Sequence, residues 1–286
     1  MIGVVGGSSL MIAPLADAPS SATGLEVTRW AERPARLARM DRLCALALVA
    51  CDAALVDAGL SPADASWNPE RTGVVLGSAF GSHATNEAYY RGYLSADGAS
   101  PRLFAYTLPS SPVGEITIHH RILGPSSTTI SGGTAGLDAL REALRHLYAG
   151  RADRVLVAAV DVATPLLRRL GYDVSHDHAA AVVLEAGGTL DLRGASRFVA
   201  GDPSAAMHTV AAEWIAEPIG RVFAPASVRS ALATLFPHAE HTAIDDTAGA
   251  PLRALWQASH DETRPFLIVA ADACGQVSAL RIGRTA

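Results

Sequence analysis

The chain has 286 residues, of which 49% are hydrophobic and 18% are charged, so it is long enough to bury a large core. Its formal net charge of −5 provides no overall positive field for binding nucleic acid or an anionic membrane surface. All 23 basic residues are arginine. Without a lysine, the chain can form neither a Schiff base nor a phosphate-loop lysine contact.

Three cysteines, Cys44, Cys51 and Cys274, are scattered without C-x-x-C spacing. This pattern predicts neither a disulfide framework nor a zinc site, and it is typical of a reducing cytoplasm. No apolar run reaches membrane-spanning length, and we expect a cytoplasmic protein. We also expect that it holds no metal and no cofactor. The four arginines of Arg33–Arg42 are typical of a solvated helix face, with an acidic partner as the alternative.

Apolar strands and helices alternate along the chain. The apolar N-terminus, interrupted by Gly6 and Gly7, predicts a buried strand and a loop rather than a signal peptide. Helical spacing and stop signals predict helices over residues 40–59, 111–123, 134–148, 204–216 and 227–236. Apolar or β-branched runs predict strands over residues 72–76, 127–130, 155–160, 179–184, 266–271 and 277–282. Residues 12–24 and 186–203 have the loosest composition. The alternation indicates an α/β protein with sheets covered on both faces.

A glycine-rich turn, residues 131–136, joins a predicted strand to a predicted helix. Exposed backbone N–H groups and the helix dipole favour an anion at such a turn, which makes a phosphate cradle one interpretation. However, the turn lacks G-x-G-x-x-G spacing, and a Walker loop requires a lysine. Ser131 and Thr134 provide hydroxyl groups, but no base can be identified beside them in the sequence.

The histidines do not form a recognisable ligand motif. His119 and His120 fall in a predicted helix, and His176-Asp177-His178 falls in a predicted loop before a strand. His238 and His241 lie near Asp245-Asp246. A His-x-His beside aspartates can bind a metal, but without a third ligand at fixed spacing a solvated loop is the better interpretation. Asp245-Asp246 is in the same way a candidate acid pair or a polar turn.

The order of several segments is similar to that of the β-ketoacyl-ACP synthase family. The glycine-rich turn falls where those enzymes read T-A-C-[ST]-[SG]-G, and Gly150-Arg151-Ala152-Asp153 matches their G-x-A-D. Thr247-Ala248-Gly249-Ala250 resembles the G-H-x-x-G-A-x-G motif, and Gly275 the final glycine-rich turn. The resemblance is strong over 39–185 and collinear beyond, and it includes residues 39–60, 71–78, 100–114, 124–136, 149–160 and 178–185.

This resemblance implies the thiolase fold, an α/β five-layer sandwich of two similar halves, here with shortened loops. We expect an N-terminal ketosynthase-like half over residues 1–185 and a shortened C-terminal half over residues 186–286. Relative to full ketosynthases, segments are missing between Asp161 and His178 and again after Leu190. Members of the family are normally dimeric.

The family's catalytic residues are absent from the matching positions. Gly133 stands where the nucleophilic cysteine is expected, and Asp246 stands where the second histidine is expected. The first histidine should fall around 215–230, but no histidine lies between His208 and His238. Since the family's lysine is absent as well, the resemblance implies that the chain cannot carry out a Claisen condensation alone.

A ketosynthase-like chain without catalytic residues resembles the chain-length-factor subunits of type II polyketide systems, and in particular short versions from aryl-polyene pathways. This implies a non-catalytic subunit that forms a heterodimer with an active ketosynthase, shapes its acyl tunnel and meets an acyl carrier protein through the complex. No nucleic acid or membrane partner is implied. The implied tunnel or interface residues are Phe80, His83, Ala84, Glu87, Leu103 and Phe104, with ordinary core packing as the alternative.

Two other functions fit the same residues. One is a thiolase-fold acyltransferase or cyclase whose altered active site uses Ser131, Thr134 or Asp246. The other is a small acyl- or nucleotide-binding regulator that uses the turn at Gly132-Gly133.

Overall fold

The computed structural model describes residues 1–12, 37–95, 98–172, 174–261 and 264–284. These residues form ten β-strands and nine α-helices. The strands are β1 (Ile2–Ile12), β2 (Thr72–Ser78), β3 (Ser126–Ile130), β4 (Arg154–Asp161), β5 (Asp177–Ala186), β6 (Leu190–Phe198), β7 (Arg221–Ala224), β8 (Glu240–Ala243), β9 (Phe266–Ala271) and β10 (Gln276–Arg284). The helices are α1 (Arg42–Asp57), α2 (His83–Leu94), α3 (Pro101–Phe104), α4 (Ser111–His120), α5 (Ala135–Tyr148), α6 (Pro165–Arg169), α7 (Pro203–Ala211), α8 (Ala226–Leu235) and α9 (Ala250–Asp261).

The strands repeat one topology twice. The first five run in the spatial order β3-β2-β4-β5-β1, and the last five run β8-β7-β9-β10-β6. Counted along the chain, the third strand of each group (β3 and β8) lies at the outer edge. The fifth strand of each group (β5 and β10) is antiparallel to both of its neighbours. Pairing between β1 and β6 is limited to Ile2 with Leu190. The two sheets are therefore nearly independent and share one folding pattern.

Three hydrophobic cores join five layers of helices and sheets. The central core contains α5 and α9 together with inward-facing residues of both sheets, such as Val157 of β4 and Ile268 of β9. A second core packs α1 and α4 against the outer face of the first sheet. A third core packs α7 and α8 against the outer face of the second. The predicted five-layer sandwich is thus confirmed.

Buried charge is concentrated at the start of helix α1. The helix begins after Asp41, whose carboxylate accepts a hydrogen bond from the backbone N–H of Cys44 at 2.9 Å, so the side chain caps the helix. Most of its apolar residues are buried, since the helix packs against both the sheet and α4, and Val56 near its end is exposed. Arg42 is also buried and pairs with Asp177, so the interpretation of Arg33–Arg42 as a solvated face is wrong for this residue. Residues 33–36 lie outside the described ranges.

The predicted elements correspond to observed ones, with differences at their ends. Residues 186–203, which looked loose by composition, contain β6, and the helix predicted over 204–216 ends at Ala211. Most of the other loose segment, 12–24, is outside the described residues. The division of the chain after residue 185 stays a prediction; β5 ends at Ala186. In the described ranges no helix has both the length and the apolar character needed to cross a membrane.

Candidate functional site

The two central helices meet at their N-termini. After β3, residues 131–134 form a short 3-10 turn in which Gly132 has a φ of +57°, a left-handed conformation that favours glycine. Helix α5 starts at Ala135 directly after this turn. A Cβ on Gly136 would lie 1.9 Å from the carbonyl oxygen of Ala248, in the loop before α9. Only a glycine at position 136 allows this approach.

The position of the expected nucleophile is closed by backbone. A Cβ on Gly133 would lie 2.8 Å from the carbonyl oxygen of Ala271 and 3.6 Å from that of Asp246. Next to it, a Cβ on Gly132 would lie 3.0 Å from Oδ2 of Asp272. The end of β9 therefore occupies the space into which a side chain at position 133 would extend.

The structure brings Asp246 next to Gly133, as the motif alignment implies. Asp246 and its neighbour Asp245 are both exposed. Partial loss of hydration and the negative charge of Asp245 raise the pKa of Asp246 above its usual range. Asp245 in turn pairs with Arg253 of α9 and accepts a hydrogen bond from Thr247, which makes it part of the loop's own structure. Of the two predicted alternatives for Asp245-Asp246, the geometry therefore resembles the polar turn rather than the acid pair.

The hydroxyl groups beside Gly133 donate to one carboxylate. Ser131 and Thr134 bond Oδ2 of Asp138 at 2.7 and 2.8 Å, and Ser278 bonds its Oδ1 at 2.6 Å. Asp138 lies in the first turn of α5 and joins this turn to β10 of the second sheet. The structure supplies the acidic neighbour that the sequence did not identify. Asp138 accepts hydrogen bonds from three hydroxyl groups and so holds the turn in place. None of these hydroxyls is left free to attack.

The loop that carries Phe80 is held by Asp161 at the end of β4. Oδ1 of this buried carboxylate accepts hydrogen bonds from Ser78 Oγ at 2.6 Å, from the Ala79 N–H at 2.9 Å and from the Phe80 N–H at 3.2 Å. A carboxylate with several N–H and O–H donors fixes their positions firmly. The sequence signal for this anchor is an aspartate directly after an apolar strand.

A second buried carboxylate and a buried histidine lie beside this anchor. His178 Nε2 is 3.3 Å from Asp161 Oδ2, and both side chains are at most 3% exposed. Asp177 pairs with Arg42 and also accepts the Ala163 N–H at 2.8 Å. The prediction of a solvated loop at His176-Asp177-His178 is therefore wrong for the last two residues. They begin β5, where Asp177 pairs with Arg42 and His178 lies beside Asp161.

The predicted tunnel residues surround the Phe80 loop and helix α2. The Phe80 ring packs edge-on against Tyr172 at 4.9 Å and against His83 at 5.8 Å between ring centroids. His83 Nε2 lies 3.2 Å from Thr164 Oγ1, and burial lowers the pKa of this histidine. Among the others, Ala84 is buried, Glu87 pairs with Arg91, Leu103 is half-buried, and Phe104 is 63% exposed beside Tyr89.

The first predicted histidine position has no imidazole nearby in sequence. Strand β7 ends at Ala224, and Pro225 follows it directly before α8. Of the later histidines, His238 is exposed and His241 is half-buried, with Nε2 3.0 Å from the Phe236 carbonyl oxygen. A shallow pocket of about 180 Å³ lies beside Asp245 and Arg253, and another of about 200 Å³ lies beside Arg71 and Asp153. None of the predicted tunnel residues lines either pocket.

An open sheet edge lies next to exposed apolar side chains. Strand β3 pairs only with β2 among the described strands. The Val74 N–H donates a hydrogen bond to the Pro125 carbonyl oxygen. Because only every second residue of a parallel strand bonds to a given neighbour, the backbone groups of Ser126, Thr128 and Ile130 face away from β2. We call this edge, together with exposed apolar residues around it, the β3 face: strand β3, Leu108, Ile118, Leu123 and Ile130.

Two five-stranded α/β halves around paired helix N-termini define the thiolase fold, and comparisons with known proteins agree. A family model for the N-terminal domain of β-ketoacyl synthases matches residues 21–180, which is more than half of the chain. The chain belongs to the β-ketoacyl synthase family. It is 34% identical over 136 residues to the ketoacyl synthase alpha subunit of the tetracenomycin polyketide synthase from Streptomyces glaucescens. That alignment covers 45% of this chain and 32% of the relative, so the chain aligns with about a third of the length of its curated relatives.

Solved structures show the same fold over the whole chain. A chain of the ishigamide ketosynthase/chain length factor superposes with a TM-score of 0.79 at 21% identity, covering 100% of this chain and 99% of that one. A chain from a type II PKS acyl-carrier protein in complex with its ketosynthase superposes with a TM-score of 0.74 at 18% identity, covering 99% of each. At such low identity the likeness establishes the fold alone.

Proposed function

We propose that this chain is a non-catalytic, chain-length-factor-like subunit. It pairs with an active β-ketoacyl-ACP synthase as a heterodimer and contributes to the tunnel that holds the growing acyl or polyketide chain. The acyl carrier protein meets the complex rather than this chain alone. The observation that carries the proposal is the closed nucleophile position at Gly133.

Several features of the site support a non-catalytic role. A ketosynthase needs a thiol to accept the acyl chain, and the carbonyl of Ala271 lies where that side chain would begin. Asp246, which stands at a histidine position, cannot act as a neutral imidazole donor at neutral pH. The neighbouring hydroxyls of Ser131 and Thr134 donate to Asp138. No group at this site is arranged for acyl transfer.

The β3 face supports pairing with another chain. An unpaired edge strand exposes backbone donors and acceptors that can extend a sheet into a partner. The side chains around this edge are large and apolar: Leu123 is 72% exposed, Ile118 65% and Ile130 45%. A Cβ on Gly81 would lie 3.4 Å from the Ile130 side chain and 3.5 Å from Pro109, so the loop after α3 is continuous with the edge. Exposed apolar patches of this kind mark interaction sites.

In the proposed heterodimer, the predicted tunnel residues lie near the partner. Leu103 and Phe104 lie on α3, directly before Leu108 of the β3 face, and Phe104 points away from the core with a 63% exposed ring. Phe80 and His83 lie behind α3, held by Asp161 and Thr164. In the proposed heterodimer, Phe104 extends toward the partner, and Phe80 limits the space available to the acyl chain.

The test is co-expression with a β-ketoacyl synthase from the same genome that keeps its Cys, His and His. We expect a stable 1:1 complex that elongates acyl chains, while neither subunit is active alone. Ile130→Asp places a charge on the open edge and should reduce recovery of the complex at least tenfold. Ile215→Asp is the matched control, because Ile215 is 52% exposed but lies in the second half of the chain, away from β3.

Two results would contradict the proposal. One is a chain that stays a monomer or homodimer when the ketosynthase is present. The other is turnover by the isolated chain, or a covalent acyl adduct on it in intact-protein mass spectrometry, which would favour a repurposed acyltransferase or cyclase. An Ile215→Asp variant that weakens the complex as much as Ile130→Asp would instead move the interface away from the β3 face.

A further inference from the structure

Two histidines and an aspartate converge where α1 and α4 pack together on the outer face of the first sheet. Asp52 lies in the last half of α1, and His119 and His120 are the last two residues of α4. One donor atom from each side chain lies within 4.8 Å of the other two. The sequence hid this cluster because its carboxylate comes from a different helix.

The cluster is mostly buried, and one of its imidazoles lacks a partner. His120 is 2% exposed, and its Nε2 has no hydrogen-bond partner within the described residues. An unpaired buried imidazole nitrogen costs free energy unless a ligand occupies it. The Asp52 side chain is 1% exposed, and His119 is half-buried, so the cluster has one accessible side.

The two histidines are consecutive, yet their rings are close. The helix ends at His120, and Arg121 adopts a left-handed conformation with a φ of +54°. The ring centroids lie 4.7 Å apart in an edge-on arrangement.

We propose that Asp52, His119 and His120 form a binding site for a divalent transition-metal ion, with Zn²⁺ as the best match. Two imidazoles and a carboxylate are a usual zinc donor set, and a water completes a tetrahedral site. Tetrahedral zinc with bonds of about 2.0–2.1 Å holds its ligand atoms about 3.3 Å apart, so the three donors must move closer by rotation of their side chains. The site revises the expectation of a metal-free chain.

A metal at this position would fasten α1 to the end of α4. The residues that follow α4 lead through Leu123 to strand β3, so the bound ion would stabilise the helix end beside the β3 face. The site does not depend on the proposed heterodimer, because all three ligands come from this chain.

The test is direct titration of the whole chain, prepared without a histidine tag and dialysed against a chelator. Co²⁺ replaces Zn²⁺ as a visible probe, and a competing chromogenic chelator reports Zn²⁺ affinity and stoichiometry. We expect one ion per chain, the absorption of four-coordinate Co²⁺, and a higher Tm with Zn²⁺. His119→Ala should lower Zn²⁺ affinity at least about 100-fold. Loss of a residue that only hydrogen-bonds to a metal ligand already lowers metal affinity by about 10- to 100-fold, and His119 would be a ligand itself.

His208→Ala is the matched control, because His208 is exposed on α7 in the other half of the chain and should bind Zn²⁺ as the unchanged chain does. Asp52→Asn keeps the shape of the side chain and should also lower the affinity; His119→Ala keeps the test decisive if Asp52→Asn fails to fold. The proposal is overturned if the unchanged chain binds no ion, or if folded His119→Ala binds Zn²⁺ with unchanged affinity.

Discussion

The carbonyl oxygen of Ala271 lies 2.8 Å from the point that a Cβ on Gly133 would occupy. Real Cβ atoms essentially never approach backbone so closely without displacement of one or the other. The backbone therefore leaves no room for a side chain at the position where the family motif predicts the nucleophile. A turn from the second half, at the end of β9, fills that space, so the closure belongs to the packing between the two halves.

Restoring the cysteine should not restore catalysis. We expect Gly133→Cys to form no acyl adduct with acyl-ACP in intact-protein mass spectrometry, because the new side chain must displace the Ala271 backbone. Gly133→Ala should cost about 1–3 kcal/mol in the free energy of unfolding, measured with urea, because the added methyl overpacks the site. An acylated Gly133→Cys variant would show that the site opens.

Gly114→Ala is the control for this pair. Gly114 lies inside α4, it is exposed, and a Cβ there would meet nothing within 4 Å. Alanine lowers the entropy cost of a helix position, so this variant should gain up to about 1 kcal/mol. A loss at Gly114 similar to that at Gly133 would mean that the cost at Gly133 does not come from the Ala271 contact.

The Phe80 loop should lose its order when Asp161 is removed. Asp161→Ala leaves the N–H groups of Ala79 and Phe80 and the hydroxyl of Ser78 without their acceptor, and we expect a loss of at least about 3 kcal/mol. Hydrogen exchange of the amides at 79 and 80 should become much faster. Ser78→Ala, which keeps the carboxylate, should cost about 1–2 kcal/mol and leave those two amides protected.

The buried pair of Arg42 and Asp177 should dominate the stability of the first half. Their side chains are 1% and 0% exposed, so replacing Asp177 removes a buried countercharge of Arg42. Asp177→Asn should cost about 3–5 kcal/mol in urea unfolding. The double variant with Arg42→Met should cost less than the two single changes added together, because the charges compensate each other.

Arg145→Gln provides the surface comparison. Arg145 pairs with Glu142 at 2.9 Å but is 76% exposed, so its loss should cost less than about 1 kcal/mol. If Asp177→Asn were equally mild, water or another group would have to replace the aspartate charge beside Arg42.

The sequence predicts local structure better than it predicts these contacts. The glycine-rich turn at 131–136 could be placed between a strand and a helix, because small residues allow its backbone conformation. Its closure by Ala271 could not be predicted, since that contact joins the two halves of the chain. Gly133 and Asp246 do lie next to each other. Their assignment to the family's nucleophile and histidine positions stays a prediction from the motif.

The error at Asp177 and His178 has the same origin. Polar residues beside histidines are typical of a solvated loop when they are judged from their neighbours in sequence. In the fold, Arg42 supplies the countercharge of Asp177, and the carboxylate of Asp161 lies 3.3 Å from His178 Nε2. Neither contact is local in sequence. The burial of a polar residue can be predicted only when its partner is known, because the partner offsets the free-energy cost of removing the polar group from water.

Asp246 should make the stability of the chain depend on pH. Partial burial and the charge of Asp245 raise its pKa above the ordinary value of 3.8, so the folded chain favours the protonated carboxyl. This contribution to stability is fully present below about pH 3.8 and is lost as the pH rises through the raised folded value. Asp246→Asn should therefore equal or exceed the unchanged chain in Tm at pH 7, and the difference should shrink below pH 3.8.

Asp153→Asn is a control of opposite sign for the same pH series. The hydrogen-bonded guanidinium of Arg71 lowers the pKa of Asp153, so its stabilising contribution is present above the ordinary value of 3.8 and is lost as the pH falls through the folded value. Asp153→Asn should lower the Tm at pH 7 slightly, since solvent screens this exposed pair. Parallel Tm curves for the two variants would contradict the raised pKa of Asp246, because the two carboxylates would then respond to the fold in the same way.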